Sequence, residues 1–391
     1  MNPLFLVLIG GLGLILVVGL GVEWQFRQRQ GNLLEIDHGQ WQSDLSASDR
    51  YRLKGEFQAI NYTQNLDVFL TEVKVEVTLL SKASLAEVQT EIQVRSRHAQ
   101  EPARLDNYWE AYIVKGKQHT GLEVEFTLSG VDLSPLRSAW VRIHYVVYGP
   151  AGRIPKVRHC ILPLSYPKAA EVQWQATPAA QVLPIPTHLL SVQDDLIEVI
   201  KRYVSPHAQP GDIVTIGETP VAIMQGRWRH PSEIRPGWLA KRLCYYFLRT
   251  SSLATACGLQ SLVDEVGAWR VAVAFGGGAI AKLFGQPGMF YNLAGEQARL
   301  VDDVTGTLPP YDQFIVLGPQ NSQALVDQIR AETGLEAAIV DVNDLKKVAV
   351  LAKTPGTELT VLHQALLDNP AGNAAQQTPL VLIRPVDTRR H

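Results

Sequence analysis

The sequence contains little of what marks several common classes of protein. Its three cysteines, Cys160, Cys244 and Cys257, include no C-x-x-C pair, so neither a disulfide framework nor a zinc cluster is indicated. The net charge is −2, with no basic stripe of the kind that binds nucleic acid. G-x-S-x-G and H-E-x-x-H are absent, which leaves nucleophilic hydrolase chemistry without support. With 391 residues and 46% hydrophobic composition, the chain is expected to form two globular domains.

Charge is also missing from the start of the chain. Residues 3–22, PLFLVLIGGLGLILVVGLGV, carry no charged side chain, and about twenty such residues span a bilayer. Without a basic start or a cleavage site, the run predicts an uncleaved anchor over residues 1–22 rather than a signal peptide. Arg27 and Arg29 follow the run and no Lys or Arg precedes it. The positive-inside rule therefore predicts a single-pass membrane protein with the bulk of the chain in the cytoplasm.

Residues 32–170 show a hydrophobic period of two. In GLEVEFTLSG, apolar Leu122, Val124, Phe126 and Leu128 alternate with polar residues, which is typical of a strand with one solvated face. TEVKVEVTLL and AWVRIHYVVYG have the same pattern. These runs predict an antiparallel β-sandwich domain. Residues 171–187 are rich in Ala, Pro and Gln, and we interpret them as a linker.

From residue 188 to the end, helical and strand patterns mix. SVQDDLIEVIKRYV predicts a helix with Ser191 as its N-cap, and NSQALVDQIRAETG predicts one that stops at Gly334. Between and after them, PGDIVTIG, LEAAIV and TPLVLIRPV are short apolar strands. The predicted fold is an α+β multidomain chain: an N-terminal transmembrane helix, the sandwich, and a mixed α/β domain over residues 188–391.

Acidic residues follow the strand LEAAIV. In VDVNDLKK, the oxygens of Asp341, Asn343 and Asp344 could bind Mg or Mn at the carboxyl end of a strand. The same residue types also form turns and cap helices. Adjacent Asp302 and Asp303 repel each other unless a cation or arginine lies near. Both interpretations stay open, and convergence of these side chains on one cavity would favour the metal.

Two further segments have two interpretations each. The glycines of AFGGGAIAKLFG could place amide N–H groups around a phosphate near Lys282, although the spacing of a P-loop is absent. A packed or membrane-contacting segment would look the same. RWRHPSEIRPGW contains Arg227, Arg229 and Arg235, which suit phosphate or carboxylate but equally suit surface ion pairs.

Four segments carry a family resemblance. SVQDDLIEVIKRYV, PGDIVTIGETPVAIMQGR, LVDQIRAETGLEAAIVDVNDL and DNPAGNAAQQTPLVLIRP resemble, in this order, the coenzyme F-420 gamma-glutamyl ligase family in its membrane-tethered bacterial branch. The resemblance covers about residues 188–386, with the anchor and the β domain outside it. It implies a homodimer that uses GTP and a divalent metal to join L-glutamate to a carboxylate of a deazaflavin precursor. The carboxylate becomes reactive through a phosphate leaving group, and metal ions neutralise the charge of phosphoryl transfer.

The resemblance assigns roles to particular residues. Asp341 matches a metal-binding aspartate, Glu218 and Thr219 match a nucleotide-contacting pair, and residues 187–190, with Leu189 and Leu190, match the first nucleotide loop.

The sequence also departs from the family. Ala222 and Ile223 stand where the family has Ser and Lys, and Val342 replaces a hydroxyl ligand. One hypothesis is a GTP- and metal-dependent acid–amino-acid ligase whose metal site is rebuilt with Asn343, Asp344 and the pair at 302 and 303. The other is a catalytically inactive ligase-fold scaffold that binds a ligand or a protein partner at the membrane.

Overall fold

The computed structural model describes residues 3–28, 31–99, 104, 106, 108–167, 173–249, 251–286, 288–301, 308–343, 347–372 and 376–386. The chain divides into two compact units. Unit 1 comprises Met1–Glu76, Gln89–Ser129 and Arg142–His159, and unit 2 comprises Val77–Val88, Gly130–Val141 and Cys160–His391. Each unit is described by itself below.

The first part of the chain is one helix followed by nine strands. Helix α1 spans Pro3–Gln28, and its side chains from Gly11 to Gln25 are exposed. The strands are β1 Leu34–Ile36, β2 Gln40–Asp44, β3 Arg50–Asn61, β4 Val68–Ser81, β5 Gln89–Arg97, β6 Tyr112–Val114, β7 His119–Ser129, β8 Leu136–Gly149 and β9 Gly152–Pro163. They form a five-stranded sheet, β1-β3-β7-β5 with β2 against β3, and a four-stranded sheet, β6-β4-β8-β9.

The predicted alternation in β7 is confirmed. Leu122, Val124, Phe126 and Leu128 are each at most 1% exposed, and β7 pairs antiparallel with β3 and β5. Burial of these side chains on one face fixes the strand register, because a slip of one residue would expose all of them.

The opposite face of β7 is less solvated than the alternation suggests. The Glu123 side chain is 1% exposed and is bound by Lys54, Arg95 and Arg97 from the two neighbouring strands. The Arg95 Nη1 to Glu123 Oε1 distance is 3.2 Å. Burial acts to raise the pKa of Glu123, but the hydrogen bonds from Arg97 and Lys54 outweigh it and the pKa lies below its ordinary value.

Unit 2 contains a six-stranded mixed sheet. Its strands are β10 Gln175–Ala176, β11 Ala180–Ile185, β12 Ile213–Gly217, β15 Glu336–Asn343, β16 Lys347–Lys353 and β17 Leu380–Pro385, in the order β10-β11-β17-β12-β15-β16. Strands β12 and β15 are parallel, whereas β11 and β16 pair antiparallel with β17 and β15. Strand β13, Trp228–Arg229, pairs with β14, Ile315–Val316. The mixed fold predicted for this region is confirmed.

The predicted linker over residues 171–187 is wrong where β10 and β11 lie. Strand β11 pairs with β17 along its whole length, from Ala180 opposite Pro385 to Ile185 opposite Leu380. Val182, Leu183 and Ile185 are at most 2% exposed. Local composition indicates a linker here because the partner strand lies about two hundred residues away in the sequence.

Nine helices of unit 2 surround this sheet or form a separate helical cluster in the described residues. They are α2 Leu196–Tyr203, α3 Glu218–Met224, α4 Trp238–Leu243, α5 Ala256–Val266, α6 Ala268–Leu283, α7 Met289–Ala294, α8 Gln297–Leu300, α9 Ser322–Thr333 and α10 Leu359–Leu366. Helices α2 and α9 pack on one face of the sheet with Ile216 and Ile339. Helix α10 packs on the other face with Val340 and Val381.

Two predicted helix ends have different outcomes. Helix α9 ends at Gly334 as predicted, with φ +73° in the left-handed region that favours glycine. Ser191 is not the N-cap of α2. The cap is Asp195, whose side chain accepts hydrogen bonds from the backbone N–H of Ile197 and Glu198. Asp194 instead accepts a bond from the Ser191 backbone N–H, which shapes the loop before the helix.

The two ambiguous segments resolve to structural roles. Gly276, Gly277 and Gly278 of AFGGGAIAKLFG lie inside α6, and Gly285 lies beyond its end. A Cβ at Gly277 would be 2.8 Å from Leu293 and one at Gly278 would be 3.0 Å from Phe290. Close packing on α7 therefore explains these two glycines better than a phosphate cradle. Arg227 and Arg229 form ion pairs with Glu265 and Asp264 of α5 at 2.9 and 2.6 Å.

No single helix of the described residues is both long and apolar enough to cross a bilayer. Helices α5 and α6 have that length and composition only together, as a pair bent by 113°. The predicted transmembrane helix stays unconfirmed.

Candidate functional site

Unit 2 contains a cavity of about 270 Å³ at the ends of β12 and β15, which we name the strand-end cavity. Its floor comes from Thr215, Val340 and Val381 on the α10 face of the sheet. The loop of residues 187–190, the start of α3, Leu308 and Tyr311, and residues 369–372 and 377–379 complete its wall. Its volume lies near the lower limit of about 300 Å³ for small-molecule sites.

The loop 187–190 is held in place by a buried histidine. His188 is 3% exposed. Its Nε2 lies 2.7 Å from Asp194 Oδ1, and its Nδ1 lies 2.7 Å from the Tyr203 hydroxyl on α2. Both ring nitrogens are thus engaged with protein groups. His188 is therefore a positioning residue of the cavity rather than a free acid or base.

Tyr311 fixes the same loop from the opposite side. Its hydroxyl donates a hydrogen bond to the Leu190 carbonyl oxygen at 3.1 Å. Burial raises the pKa of Tyr311 well above its ordinary value, with smaller contributions from Asp194 and Cys160. The ring stays neutral throughout the physiological pH range and acts as a permanent donor.

A reciprocal pair of hydrogen bonds joins the loop to the segment before β17. The Thr187 backbone N–H donates to the Gln377 carbonyl at 3.2 Å, and the Gln377 side-chain amide donates to the Thr187 carbonyl at 3.0 Å. Gln377 has φ +54°, a conformation that is uncommon for residues other than glycine. The surrounding contacts therefore determine the conformation of this wall.

The structure brings together most of the residues to which the family resemblance assigns nucleotide contact. Leu189, Leu190 and Thr219 all line the strand-end cavity, although they belong to separate parts of the chain. Glu218 is the first residue of α3, next to Thr219, and does not line the cavity. His188 and Tyr311 also line it. His188 lies within the predicted nucleotide loop 187–190, but its contacts and those of Tyr311 exist only in the fold and leave no mark in the sequence.

The described lining of the cavity contains no charged group of the kind that binds phosphate. Ile223, which stands where the family has a lysine, is 7% exposed and lines the wall, and neighbouring Ala222 is fully buried. Among the described residues, the lining includes no Asp, Glu, Lys or Arg. Its polar groups are threonine hydroxyls, amides, Tyr311 and His188.

Asp341 does not stand beyond the end of its strand, contrary to expectation. Strand β15 continues through it to Asn343, and Asp341 pairs with Ala349 of β16. Val340 and Val342 line the cavity, so the alternation of strand side chains places Asp341 on the opposite face.

The metal hypothesis stays a prediction. Asp302, Asp303 and Asp344 lie outside the described residues, as does the side chain of Asn343. Among the residues that the structure does describe, no group of three or more His, Cys, Asp or Glu is arranged to hold a metal ion.

The chain therefore combines a β-sandwich with a mixed α/β region. The cavity of that region has no carboxylate or ammonium group in its described lining. Residues 35–166 match the family model of "F420-0:gamma-glutamyl ligase, N-terminal Ig-like domain". The match supports a relationship to these ligases through the sandwich. The sequence resemblance covered residues 188–386 and placed the β domain outside the family. The match over residues 35–166 corrects that expectation.

Other comparisons are weaker. No curated protein matches this sequence. Similar solved structures include the GAE domain of GGA2p from Saccharomyces cerevisiae (12% identity, 35% of this chain and 96% of that chain, TM-score 0.22). Two others are the yeast GGA1 GAE domain (12% identity, 35% and 96%, TM-score 0.20) and the E. coli chaperone DraB (16% identity, 40% and 70%, TM-score 0.20).

Proposed function

We propose that this chain is a small-molecule-binding protein related to the gamma-glutamyl ligases, and that the strand-end cavity holds the uncharged part of its ligand. One observation carries the proposal. Leu189, Leu190 and Thr219, which the resemblance assigns to nucleotide contact, line one cavity that contains no described Asp, Glu, Lys or Arg. A mainly apolar cavity with a few fixed hydrogen-bonding groups is the usual form of a small-molecule site.

The lining disfavours a phosphate chain inside this cavity. Transfer of an ionised group into a site without a counter-charge is costly, and proteins bind phosphate mainly through Arg, Lys and backbone N–H groups. Ile223 removes the ammonium that the family places here. A flat uncharged ring with carbonyl groups suits the threonine hydroxyls and amides better.

The test uses riboflavin as an uncharged stand-in for the deazaflavin ring. We expect saturable quenching of riboflavin fluorescence by the full chain, and at least about tenfold weaker binding by Thr219→Trp, which fills the cavity. Thr90→Trp places the same side chain at an exposed position of β5 and should bind as the wild type does. Equal binding by both variants, or no saturable binding by the wild type, contradicts the proposal.

Ligation is the second candidate function. The same convergence of Leu189, Leu190 and Thr219 favours it, because the resemblance assigns these residues to GTP. In this case Mg or Mn would be held by Asp341, Asn343 and Asp344 with Asp302 and Asp303. The expected result is manganese-dependent GTP binding by the full chain and glutamate-dependent release of GDP that Asp341→Ala abolishes. Absence of metal-dependent GTP binding excludes this candidate and leaves the first.

The proposed setting is a membrane, to which α1 anchors a homodimer. Apolar side chains of α1 such as Leu14, Ile15 and Val17 are 65 to 70% exposed. An exposed apolar surface of this kind marks a site that a membrane or another protein covers. We expect the full chain to sediment with membranes after carbonate extraction, and deletion of residues 2–28 to release it. Light scattering of the detergent-solubilised chain distinguishes a dimer from a monomer of 43.2 kDa.

A further inference from the structure

A second cavity of about 430 Å³ lies in unit 2, and we name it the basic cavity. Lys82 and Arg137 line it together with the hydroxyl groups of Ser81, Ser138 and Ser165 and the amides of Gln376 and Gln377. Its described lining contains no Asp or Glu. The positive charge that the strand-end cavity lacks is therefore present here.

The two cations are placed by backbone contacts and are not neutralised by the described residues. Lys82 N–H donates to the Pro135 carbonyl at 3.1 Å, and the Arg137 carbonyl accepts from Leu164 N–H at 2.9 Å. No ion pair or side-chain hydrogen bond to a described residue engages the Lys82 ammonium or the Arg137 guanidinium. Two cations in one cavity attract an anion.

A buried hydroxyl is the independent sign of a ligand. Ser138 is 1% exposed, and its Oγ has no hydrogen-bond partner in the part of the chain that the structure describes. Buried polar groups of native proteins are nearly always hydrogen-bonded, so an exception requires an explanation. Because Ser138 lines the basic cavity beside Arg137, an oxyanion oxygen would supply the missing acceptor.

The two cavities share a wall. Thr187, Leu189, Leu308 and Gln377 line both of them. We propose that the basic cavity binds an oxyanion, phosphate or carboxylate, that belongs to the same ligand whose uncharged part occupies the strand-end cavity. This inference rests on the proposed function. It adds the place at which the anionic end of that ligand binds, beside Lys82, Arg137 and Ser138.

The anion site is tested with inorganic phosphate and, in a separate arm, acetate, both titrated into the full chain and followed by calorimetry. We expect saturable binding of at least one of them, and the tighter of the two identifies the group. Lys82→Gln and Arg137→Gln should each weaken it about tenfold, because charge-assisted hydrogen bonds are the strong ones. Lys115→Gln removes the same charge from an exposed position and should have no effect. Equal binding by all variants, or none by the wild type, overturns the proposal.

Two further comparisons separate this inference from the proposed function. Thr219 lines only the strand-end cavity, so Thr219→Trp should lose riboflavin and keep the inorganic anion. Flavin mononucleotide, which is riboflavin with a phosphate, should bind the wild type about tenfold more tightly than riboflavin, and Arg137→Gln should remove this advantage. If the wild type binds flavin mononucleotide no more tightly than riboflavin, the proposal that one ligand occupies both cavities is overturned. If riboflavin does not bind but the inorganic anion does, only the proposed function is overturned.

A different observation concerns α6, which presents an apolar face to solvent. Trp269, Val273, Ile280 and Leu283 recur at helical spacing and are 81, 49, 59 and 86% exposed. The opposite face buries Val271 and Ala274 completely. An exposed apolar stripe of this length marks an interaction surface.

Aromatic side chains extend this surface. Tyr245, Tyr246 and Leu248, which follow α4, are 84, 76 and 78% exposed. The ring of Tyr246 contacts Phe275 of α6, with centroids 5.5 Å apart. Tyrosine and tryptophan are enriched where an apolar phase meets water.

Cations outnumber carboxylates around α6, and Asp264 and Glu265 just before it are paired with Arg229 and Arg227. Residues 234–263 and 266–295 contain no Asp or Glu. They contain the exposed cations Arg235, Lys241, Arg242, Arg249, Arg270 and Lys282. We infer that α6 lies in the plane of an anionic lipid surface, with its apolar stripe in the acyl boundary and these cations at the headgroups.

The test uses the full chain with vesicles of brominated phosphatidylcholine, with and without phosphatidylglycerol. We expect phosphatidylglycerol to increase the quenching of tryptophan fluorescence, and Trp269→Phe to remove this increase. Trp24→Phe, in α1, should keep it. An increase that survives Trp269→Phe overturns the inference. The double variant Ile280→Glu with Leu283→Glu gives a second test. If it lowers the oligomeric mass and leaves the quenching unchanged, the surface binds a second copy of the chain and the inference is overturned.

Discussion

At the residue scale, the Glu123 carboxylate of β7 is 1% exposed and is bound by Lys54 of β3 and Arg95 of β5. The period of two correctly assigns Leu122 and Val124 to the core, because alternation is a local property of a strand. It also assigns Glu123 to a solvated face, and this is wrong. Its cationic partners come from β3 and β5, so their convergence depends on sheet order. Tyr311, and the contacts by which His188 holds the loop 187–190, were missed for the same reason.

Glu123→Gln tests the buried carboxylate through the pH dependence of stability. The folded-state pKa of Glu123 is lowered, so its contribution is fully present above the unfolded value of about 4.3 and is lost as pH falls through the folded value. We expect Glu123→Gln to destabilise the chain by about 1 to 3 kcal/mol at pH 7. Between about pH 5 and pH 3 this difference should shrink. Chemical denaturation at each pH measures it.

The control is Glu56→Gln. Glu56 also binds Lys54, at 3.0 Å, but its side chain is 64% exposed, and exposed pairs contribute at most about 1 kcal/mol. A loss of stability as large as that of Glu123→Gln would contradict the special role of burial.

At the scale of the elements, strands and helices with strong local periodicity were predicted, and their partners were not. Strand β12 and the end of α9 lie where the sequence places them. Strand β11 was interpreted as a linker because its composition contains Ala, Pro and Gln, and only pairing with β17 makes it a strand. Asp195 rather than Ser191 caps α2, since several polar residues in succession leave the helix start ambiguous by a few positions.

Leu183→Ala tests the reassignment of β11. Leu183 is fully buried in the core between the sheet, α2 and α9. We expect a loss of about 2 to 5 kcal/mol in the free energy of unfolding, because the truncated side chain leaves a cavity. Gln181→Ala, at an exposed position of the same strand, should change it by less than about 0.5 kcal/mol. If both substitutions change the free energy of unfolding by the same small amount, β11 is not a core strand and the linker interpretation is correct.

Asp195→Ala tests the N-cap of α2. The Asp195 carboxylate accepts hydrogen bonds from Ile197 N–H at 2.9 Å and Glu198 N–H at 3.1 Å. We expect a loss of about 1 kcal/mol, the usual effect of removing a cap, measured by urea denaturation. Asp49→Ala, at an exposed aspartate outside any helix, serves as the control and should have almost no effect. An unchanged midpoint for Asp195→Ala contradicts the assignment of this residue as the cap.

At the scale of the whole molecule, the relationship to the ligases is carried by a different part of the chain from the one that first indicated it. The family model matches the sandwich over residues 35–166. The resemblance from residues 188–386 rests on short segments around a cavity in which Ile223 replaces a lysine.

Ligand binding should stabilise the whole chain by an amount that rises with the logarithm of ligand concentration over the dissociation constant, and this is measurable without knowledge of the natural ligand. Flavin mononucleotide at about one hundred times its dissociation constant should raise the free energy of unfolding by about 2.7 kcal/mol, if it binds only the folded state. In Arg137→Gln the same concentration should give about half of this increase, since a tenfold weaker affinity leaves about ten times the dissociation constant. Differential scanning fluorimetry over a ligand series measures both. An equal shift in Arg137→Gln and the wild type would mean that the phosphate makes no contact with the basic cavity.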